Sequence, residues 1–362
     1  MRIFFYTFGL ESGRERLMPW RTVLEAASNI AKGGLYETQV RDAAGISGDC
    51  LMGDDVVFYP VTWRMGLENL NFLSSLPAKK IAYVPGGVYP LDGALTLCRI
   101  AGLKTALPFL LEALVPHKFL IRKLKKAGFA AFVGQSELTS AIAVKYGWPA
   151  SAAFTAIPGM DTDMAQKDYS VMDTLGLSGK KFIIYSGAPA SIRGSQMAIE
   201  AFDSIADKIA DTRFVLLMRK DNGSDFTDFE KRMAGVRHKD SFIVVRERMT
   251  YQQLGAFFSS AYAAVLPFIL IPSEMPLTYF DMLSFGTPVI SFENGGTTEY
   301  LKPALKIVPK RTVGSLAEAI LELCGNQEER NALSTAGIEL MNNHPSWEES
   351  SRIWLKAIQQ SA

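Results

Sequence analysis

The chain has 362 residues, 48% apolar and 21% charged, with 29 glycines and 17 prolines. These proportions suit a globular protein of two domains and exclude a disordered, collagenous or coiled-coil chain. Its 38 basic and 37 acidic side chains leave a formal charge of +1, so no global field points to nucleic acid. Cys50, Cys98 and Cys324 are too few and too scattered for a disulfide framework or a zinc site, and are expected to be buried thiols of a cytoplasmic protein.

The chain enters a strand pattern at residues 3–8 without a signal peptide. The turn that follows, Gly9-Leu10-Glu11-Ser12-Gly13, lacks the Gly-x-Gly-x-x-Gly fingerprint, so NAD is not expected. Further strand patterns occupy residues 55–61 and 80–85, the latter running into Gly86-Gly87. Residues 107–116 form an apolar stretch of ten, shorter than the ~18 residues needed to span a bilayer. Next to it, Lys118, Arg122, Lys123, Lys125 and Lys126 surround an apolar face of Leu120, Ile121 and Leu124, and residues 113–136 contain no acid. Two readings fit this segment. Residues 107–126 rest on an anionic membrane surface, or they form an ordinary packed helix with a solvated basic face.

Strand patterns resume at residues 129–133 and 153–158. Strands alternating with helical stretches predict parallel sheets, because parallel neighbours need a crossover between them. The polar stretch 161–178 reads as a linker. Within it, Asp161-Thr162-Asp163 has the form of a metal and diphosphate ligand pair, and Gly179-Lys180 lacks the hydroxyl residue that would make it a P-loop. Strands follow at residues 182–186, 214–218, 242–245, 262–268 and 288–291, predicting two sheets of about five strands each with a cleft between them as the site. His117, His238 and His344 share no metal-ligand spacing.

Between the last two of these strands, residues 277–285 predict a short apolar helix stopped by Gly286 and Pro288. Its free amides would stabilise an anion at the carboxyl ends of the strands, with Glu274 and Asp281 as acceptors for sugar hydroxyls. The equally open alternative is an ordinary first-turn acid and a solvated helix residue. Ser346 and its two following glutamates begin a terminal helix that ends near Gln360.

The segment from Pro272 to Ile290 resembles the E-x7-E region of the retaining glycosyltransferases of family 4. The resemblance extends to Tyr185-Ser186-Gly187 with Arg193-Gly194, to Gly295-Gly296-Thr297-Thr298-Glu299, and to Val133-Gly134-Gln135-Ser136-Glu137 and Ile157-Pro158-Gly159-Met160-Asp161. It implies an α/β protein with two Rossmann-like domains facing a cleft, the GT-B arrangement. Residues 1–165 would bind the acceptor, residues 175–342 the nucleotide-sugar donor, and residues 346–362 would cross back to the first domain.

The family implies transfer of a hexose or hexosamine, with retention and without metal or other cofactor, from a nucleotide diphosphate sugar to a glycan or lipid-linked acceptor. Glu274 and Arg193 would be catalytic. The donor would contact Gly187, Arg193, Arg219, Lys220, Glu274, Pro276, Leu277, Thr278 and Asp281. The acceptor would enter near Gly9, Gly13, Arg14, Gly86 and Gly87. Three departures stand out: Ala188 replaces the usual Arg of the diphosphate clamp, Ser273 occupies the strict first-Glu position, and Glu274 and Asp281 enclose six residues rather than seven. The alternatives are an inactive GT-B scaffold that partners a transferase, a metal-dependent transferase using Asp161 and Asp163, and a nucleotide-sugar epimerase. The expected location is the cytoplasm, including the inner face of the membrane.

Overall fold

The computed structural model describes residues 1–9, 20–62, 70–160, 166–218 and 226–361. Two six-stranded parallel sheets organise the described residues. The first comprises β1 (Arg2–Thr7), β2 (Glu37–Asp42), β3 (Val56–Pro60), β4 (Lys79–Val84), β5 (Phe129–Gly134) and β6 (Ala153–Thr155), in the order β2-β1-β3-β4-β5-β6. The second comprises β7 (Lys181–Gly187), β8 (Thr212–Met218), β9 (Phe242–Val245), β10 (Ala263–Val265), β11 (Val289–Phe292) and β12 (Leu305–Val308), in the order β12-β11-β10-β7-β8-β9.

Helices cover the sheets, so the central strands are apolar along nearly their whole length, as in β3 (Val-Val-Phe-Tyr-Pro) and β8. The two strands that pattern reading missed, β2 and β12, are both edge strands. Glu37-Thr38-Gln39-Val40-Arg41-Asp42 carries a single aliphatic side chain because one side of an edge faces water. β12 is only four residues long. The count of about five strands per sheet is corrected to six for this reason. Two smaller corrections concern Ser170–Thr174, a short helix within the stretch read as linker, and Cys50, which is exposed rather than buried.

In the second sheet the strand order reverses between β7 and β10, which pair in parallel. Crossovers leave this point in opposite directions and open a crevice beyond the carboxyl ends of the two strands, where ligands bind in such sheets. The last helix, Trp347–Ser361, lies on the first sheet rather than the second. Trp354 is fully buried there, with its ring 5.9 Å from Phe5, 5.1 Å from Phe58 and 5.4 Å from Tyr83. The chain's two crossings between the domains touch: a Cβ at Gly159 would lie 2.3 Å from the Trp347 nitrogen.

Residues 91–114 form a helical stretch broken at Gly102 into two segments, far longer in all than the ten-residue apolar stretch read from the sequence. By length and composition it is apolar enough to cross a membrane. It kinks at Gly102, whose φ of 81° lies outside the helical range.

Candidate active site

The crevice of the second sheet is built around Gly187 and Arg193. Gly187 ends β7, and a Cβ there would lie 3.3 Å from the Tyr185 hydroxyl and 3.4 Å from Arg193 Nη1. The guanidinium of Arg193 also lies 5.7 Å from the Phe268 ring at the end of β10. Backbone contacts hold the loop that carries it. The carbonyl of Ile192 accepts from the amides of Ile269 (2.9 Å) and Leu270 (3.2 Å). Gly194 has a φ of 69°, and a Cβ there would lie 2.0 Å from the Pro267 carbonyl oxygen, so only glycine lets the two loops meet.

The second component is the loop from Pro272 to Pro276. Glu274 is 1% exposed. Its carboxylate accepts from the Ser136 hydroxyl at 2.7 Å and the Thr139 hydroxyl at 2.9 Å, both from the first domain, and its amide donates to the Pro85 carbonyl at 2.9 Å. Burial pushes the Glu274 carboxyl up to about 7, and the two hydroxyls offset part of that shift. Ser136 caps the helix Glu137–Lys145 by accepting from the Thr139 amide, which sets both hydroxyls on the side facing Glu274.

Close approach of the domains depends on Gly296 in the first turn of the helix Gly295–Leu301. A Cβ there would lie 2.1 Å from Ser136 Oγ and 2.8 Å from Glu274 Oε1. Met275 is the one non-glycine residue with positive φ (57°) among the described residues, and its amide donates to Thr297 Oγ1. A left-handed conformation costs a bulky side chain roughly 1–2 kcal/mol, and such residues cluster at ligand sites. The first-turn amides of Leu277 and Thr278 follow immediately and have no intrahelical acceptor, because the helix runs only from Leu277 to Ser284.

Several buried polar atoms around the carboxyl ends of the strands have no hydrogen-bond partner among the described residues. They include Thr7 Oγ1 at the end of β1, both polar atoms of the Gln135 amide after β5, Gln196 Oε1 after β7, Ser273 Oγ after β10 and Asn294 Oδ1 after β11. An unpaired buried polar group costs about 1–3 kcal/mol unless something else satisfies it. A cavity of about 450 Å³ beside Gln196 reaches from Ser191 to Ile100, Asp228 and Lys231. Its walls come from the helix 91–114 of the first domain and from the second domain.

Among the expected donor residues, Gly187 ends β7, Arg193 lies in the turn after it, and residues 274–278 lie between β10 and β11. Asp281 lies half-buried on the same short helix as Leu277 and Thr278. Arg219 and Lys220 fall outside the described residues, as do Gly13, Arg14, Asp161 and Asp163. Gly9, with a φ of 59°, follows β1 and has open space about it. Gly86 and Gly87 are buried where the loop after β4 meets the second domain, and Cβ atoms there would lie 3.1 Å from the carbonyls of Pro272 and Ile271. Their smallness serves the contact between domains.

His344 is buried with its ring 4.2 Å from Phe280 and Nε2 against the Pro158 carbonyl, and burial pushes it down to about 4. The described residues contain no cluster of three or more His, Cys, Asp or Glu side chains. Sequence reading left Ser136, Thr139, Gly296 and Asn294 out of the site. Ser136 and Gly296 were legible as motif members, but nothing local tied either to Glu274.

A family model described as Glycosyl transferases group 1 matches residues 172–340. That stretch therefore resembles a glycosyltransferase domain. A search of curated proteins finds no match to the sequence. Solved structures resemble the whole chain at low identity. A sucrose-phosphate synthase from Thermosynechococcus elongatus aligns at a TM-score of 0.71 and 14% identity, covering 99% of this chain and 98% of its own. HepE from Anabaena, in complex with UDP, aligns at 0.69 and 8% identity, covering 99% of each chain. An E. coli structure described as trehalose-6-phosphate bound with UDP-2-fluoro glucose aligns at 0.70 and 9% identity, covering 99% of each chain. The shared fold is two Rossmann-like domains facing a cleft, the GT-B arrangement expected above.

Proposed function

We propose that the protein transfers a hexose or hexosamine from a nucleotide diphosphate sugar to a glycan or lipid-linked acceptor, with retention of configuration and without a metal. The observation that supports this reading is the Arg193 guanidinium against Gly187 at the switch point of the second sheet, with the first-turn amides of Leu277 and Thr278 on the helix that follows β10. Together they suit a diphosphate whose charge grows as it leaves the sugar, and preorganised donors of this kind stabilise such a charge without a metal. The solved structures that hold UDP or a UDP-sugar analogue share the fold and support the donor class.

In this reading Arg193 neutralises the diphosphate, with Arg219 and Lys220 supplying the second cation in place of Ala188. The amides of Leu277 and Thr278 hold the phosphates, with Pro276 starting their helix beside the donor, and Asp281 accepts from the ribose. Both oxygens of Glu274 already accept hydrogen bonds, so it positions the sugar and the first domain and does not act as a nucleophile. The acceptor enters beside Gly9, Gly13 and Arg14, with Gly86 and Gly87 closing the wall. The acceptor class places the enzyme in the cytoplasm at the inner face of the membrane.

A nucleoside diphosphate sugar at 100 times its dissociation constant should stabilise the fold by about 2.7 kcal/mol, read as a thermal shift. Arg193→Ala should keep the fold, lose most of that shift and reduce transfer by about 10²-fold. A variant with unchanged transfer would remove Arg193 from the site. The burial of Glu274 against two first-domain hydroxyls also favours a second reading, a scaffold that binds nucleotide sugars without turning them over. Release of nucleoside diphosphate on incubation with donor and acceptor decides against it.

A further inference from the structure

We infer that the helices Leu91–Leu114 and His117–Lys126 form a wedge that beds into the surface of an anionic lipid bilayer without crossing it. This deepens the proposed function, because it names the surface from which a lipid-linked acceptor would reach the cleft. Beyond the kink at Gly102, Leu103, Leu107, Leu111 and Leu114 are 59%, 46%, 48% and 63% exposed. At 100° per residue they fall within about 80° of arc, one continuous apolar stripe facing outward. Phe119 extends it, 47% exposed at the start of the next helix.

The opposite sides of these helices are committed to the protein. Leu97 and Ala106 pack into the second domain's core, and Leu120, Ile121 and Leu124 into the first domain's. Charge selects the occupant of the outward face. From residue 99 to 126 there are seven basic side chains and one acid, Glu112. Lys118, Arg122, Lys123, Lys125 and Lys126 are all exposed. Lys123 Nζ lies 5.3 Å from the Phe119 ring, so cation and apolar anchor stand side by side. Leucines flanked by lysine and arginine fit the boundary between acyl chains and anionic headgroups.

The 91–114 helix is long and apolar enough to span, and the topology forbids it. The chain leaves the sheet at the end of β4 and returns in β5, which pairs with β4 in parallel. The basic helix ends three residues before Phe129, so both ends of the wedge belong on one side of a membrane. The first turns are also clamped by the second domain. Asp92 pairs with Arg311, and a Cβ at Gly93 would lie 2.8 Å from the Ile269 carbonyl. The wedge therefore lies in the interface. Its first segment begins four residues after Gly87, which abuts the Ile271 carbonyl just before the loop of Glu274.

Flotation of the full-length protein with vesicles of phosphatidylcholine containing 30 mol% phosphatidylglycerol tests this without any substrate, so its outcome is separate from that of sugar transfer. The wild type should float with these vesicles, and neither with pure phosphatidylcholine nor in 1 M salt, where screening is nearly complete. Arg122→Ala with Lys126→Ala should weaken the partition about thirtyfold, each cation near the surface contributing about 1 kcal/mol. Leu107→Glu with Leu111→Glu should abolish it with an unchanged circular dichroism spectrum. Leu35→Glu, at a position 79% exposed elsewhere, should leave it intact. Absence of wild-type flotation overturns the inference. So does flotation that survives the leucine pair, or a concentration-dependent dimer that the leucine pair dissolves.

Discussion

Gly296→Ala should reduce sugar transfer by about three orders of magnitude and enlarge the radius of gyration measured by small-angle scattering. Alanine is ordinarily the better residue in a helix, by about 1 kcal/mol over glycine, so any loss must come from what the new methyl meets. It meets Ser136 Oγ at 2.1 Å and Ser136 Cβ at 2.5 Å across the domain interface, and Glu274 Oε1 at 2.8 Å. Neither group can retreat cheaply. Ser136 caps a helix and donates to Glu274, and Glu274 is held by its own amide against Pro85. Relief therefore comes from parting the domains, and a misplacement of about 1 Å between reacting groups costs roughly a hundredfold by itself. Adding Ser136→Gly removes two of the three clashing atoms and should restore part of the closure. A variant with wild-type transfer and scattering would mean that the domains do not meet at this contact during catalysis.

Glu274→Gln should separate stability from activity. The carboxyl is held at about 7 in the folded protein against 4.5 when unfolded, so the folded state binds more protons between those values. Stability due to this group is full below about 4.5 and is lost as the pH rises to about 7, a change of about 3 kcal/mol at 1.36 kcal/mol per unit. His344 acts with the opposite slope between 6.5 and about 4, because it is buried in its neutral form. The wild-type-minus-variant difference in unfolding free energy isolates Glu274. That difference should fall across pH 4.5–7 and level off above it, leaving the glutamine protein the more stable at pH 8. Transfer should nevertheless drop by about a hundredfold, since the amide cannot carry the negative charge that organises Ser136 and Thr139. A difference curve flat with pH would show that Glu274 is solvated. Undiminished transfer would shift the role to Ser273, the residue at the strict motif position.

How far the site could be read in advance depended on the range of the contacts. Gly187, Arg193 and the residues around Leu277 each follow a strand of the second sheet, where the order of strand, glycine loop and helix already says that backbone amides meet an anion. The sheets were legible in their interiors, because strands covered on both faces must be apolar throughout. They were illegible at β2, which carries a single aliphatic side chain, and at β12, where Lys306 interrupts a run of four residues. The helix 91–114 was read as ten apolar residues because Arg99, Gly102 and Lys104 interrupt the run. The interruption is real at Gly102, where the backbone leaves helical geometry, and a second helical segment starts beyond it.

What the amino-acid sequence determined by itself was the class of fold, with two parallel sheets, and the glycine and cation that follow the first strand of the second sheet, since each rests on periodicity and on neighbours within one loop. Tertiary structure alone decided that Glu274 is buried against Ser136 and Thr139, residues 138 and 135 positions away, and that Gly296 makes room for that meeting. It also decided which leucines of the 91–114 helix face outward. The physical reason is common to both: burial and desolvation belong to surfaces brought together from distant parts of the chain, and a charge or an apolar side chain has its energetic meaning only once those surfaces are in contact.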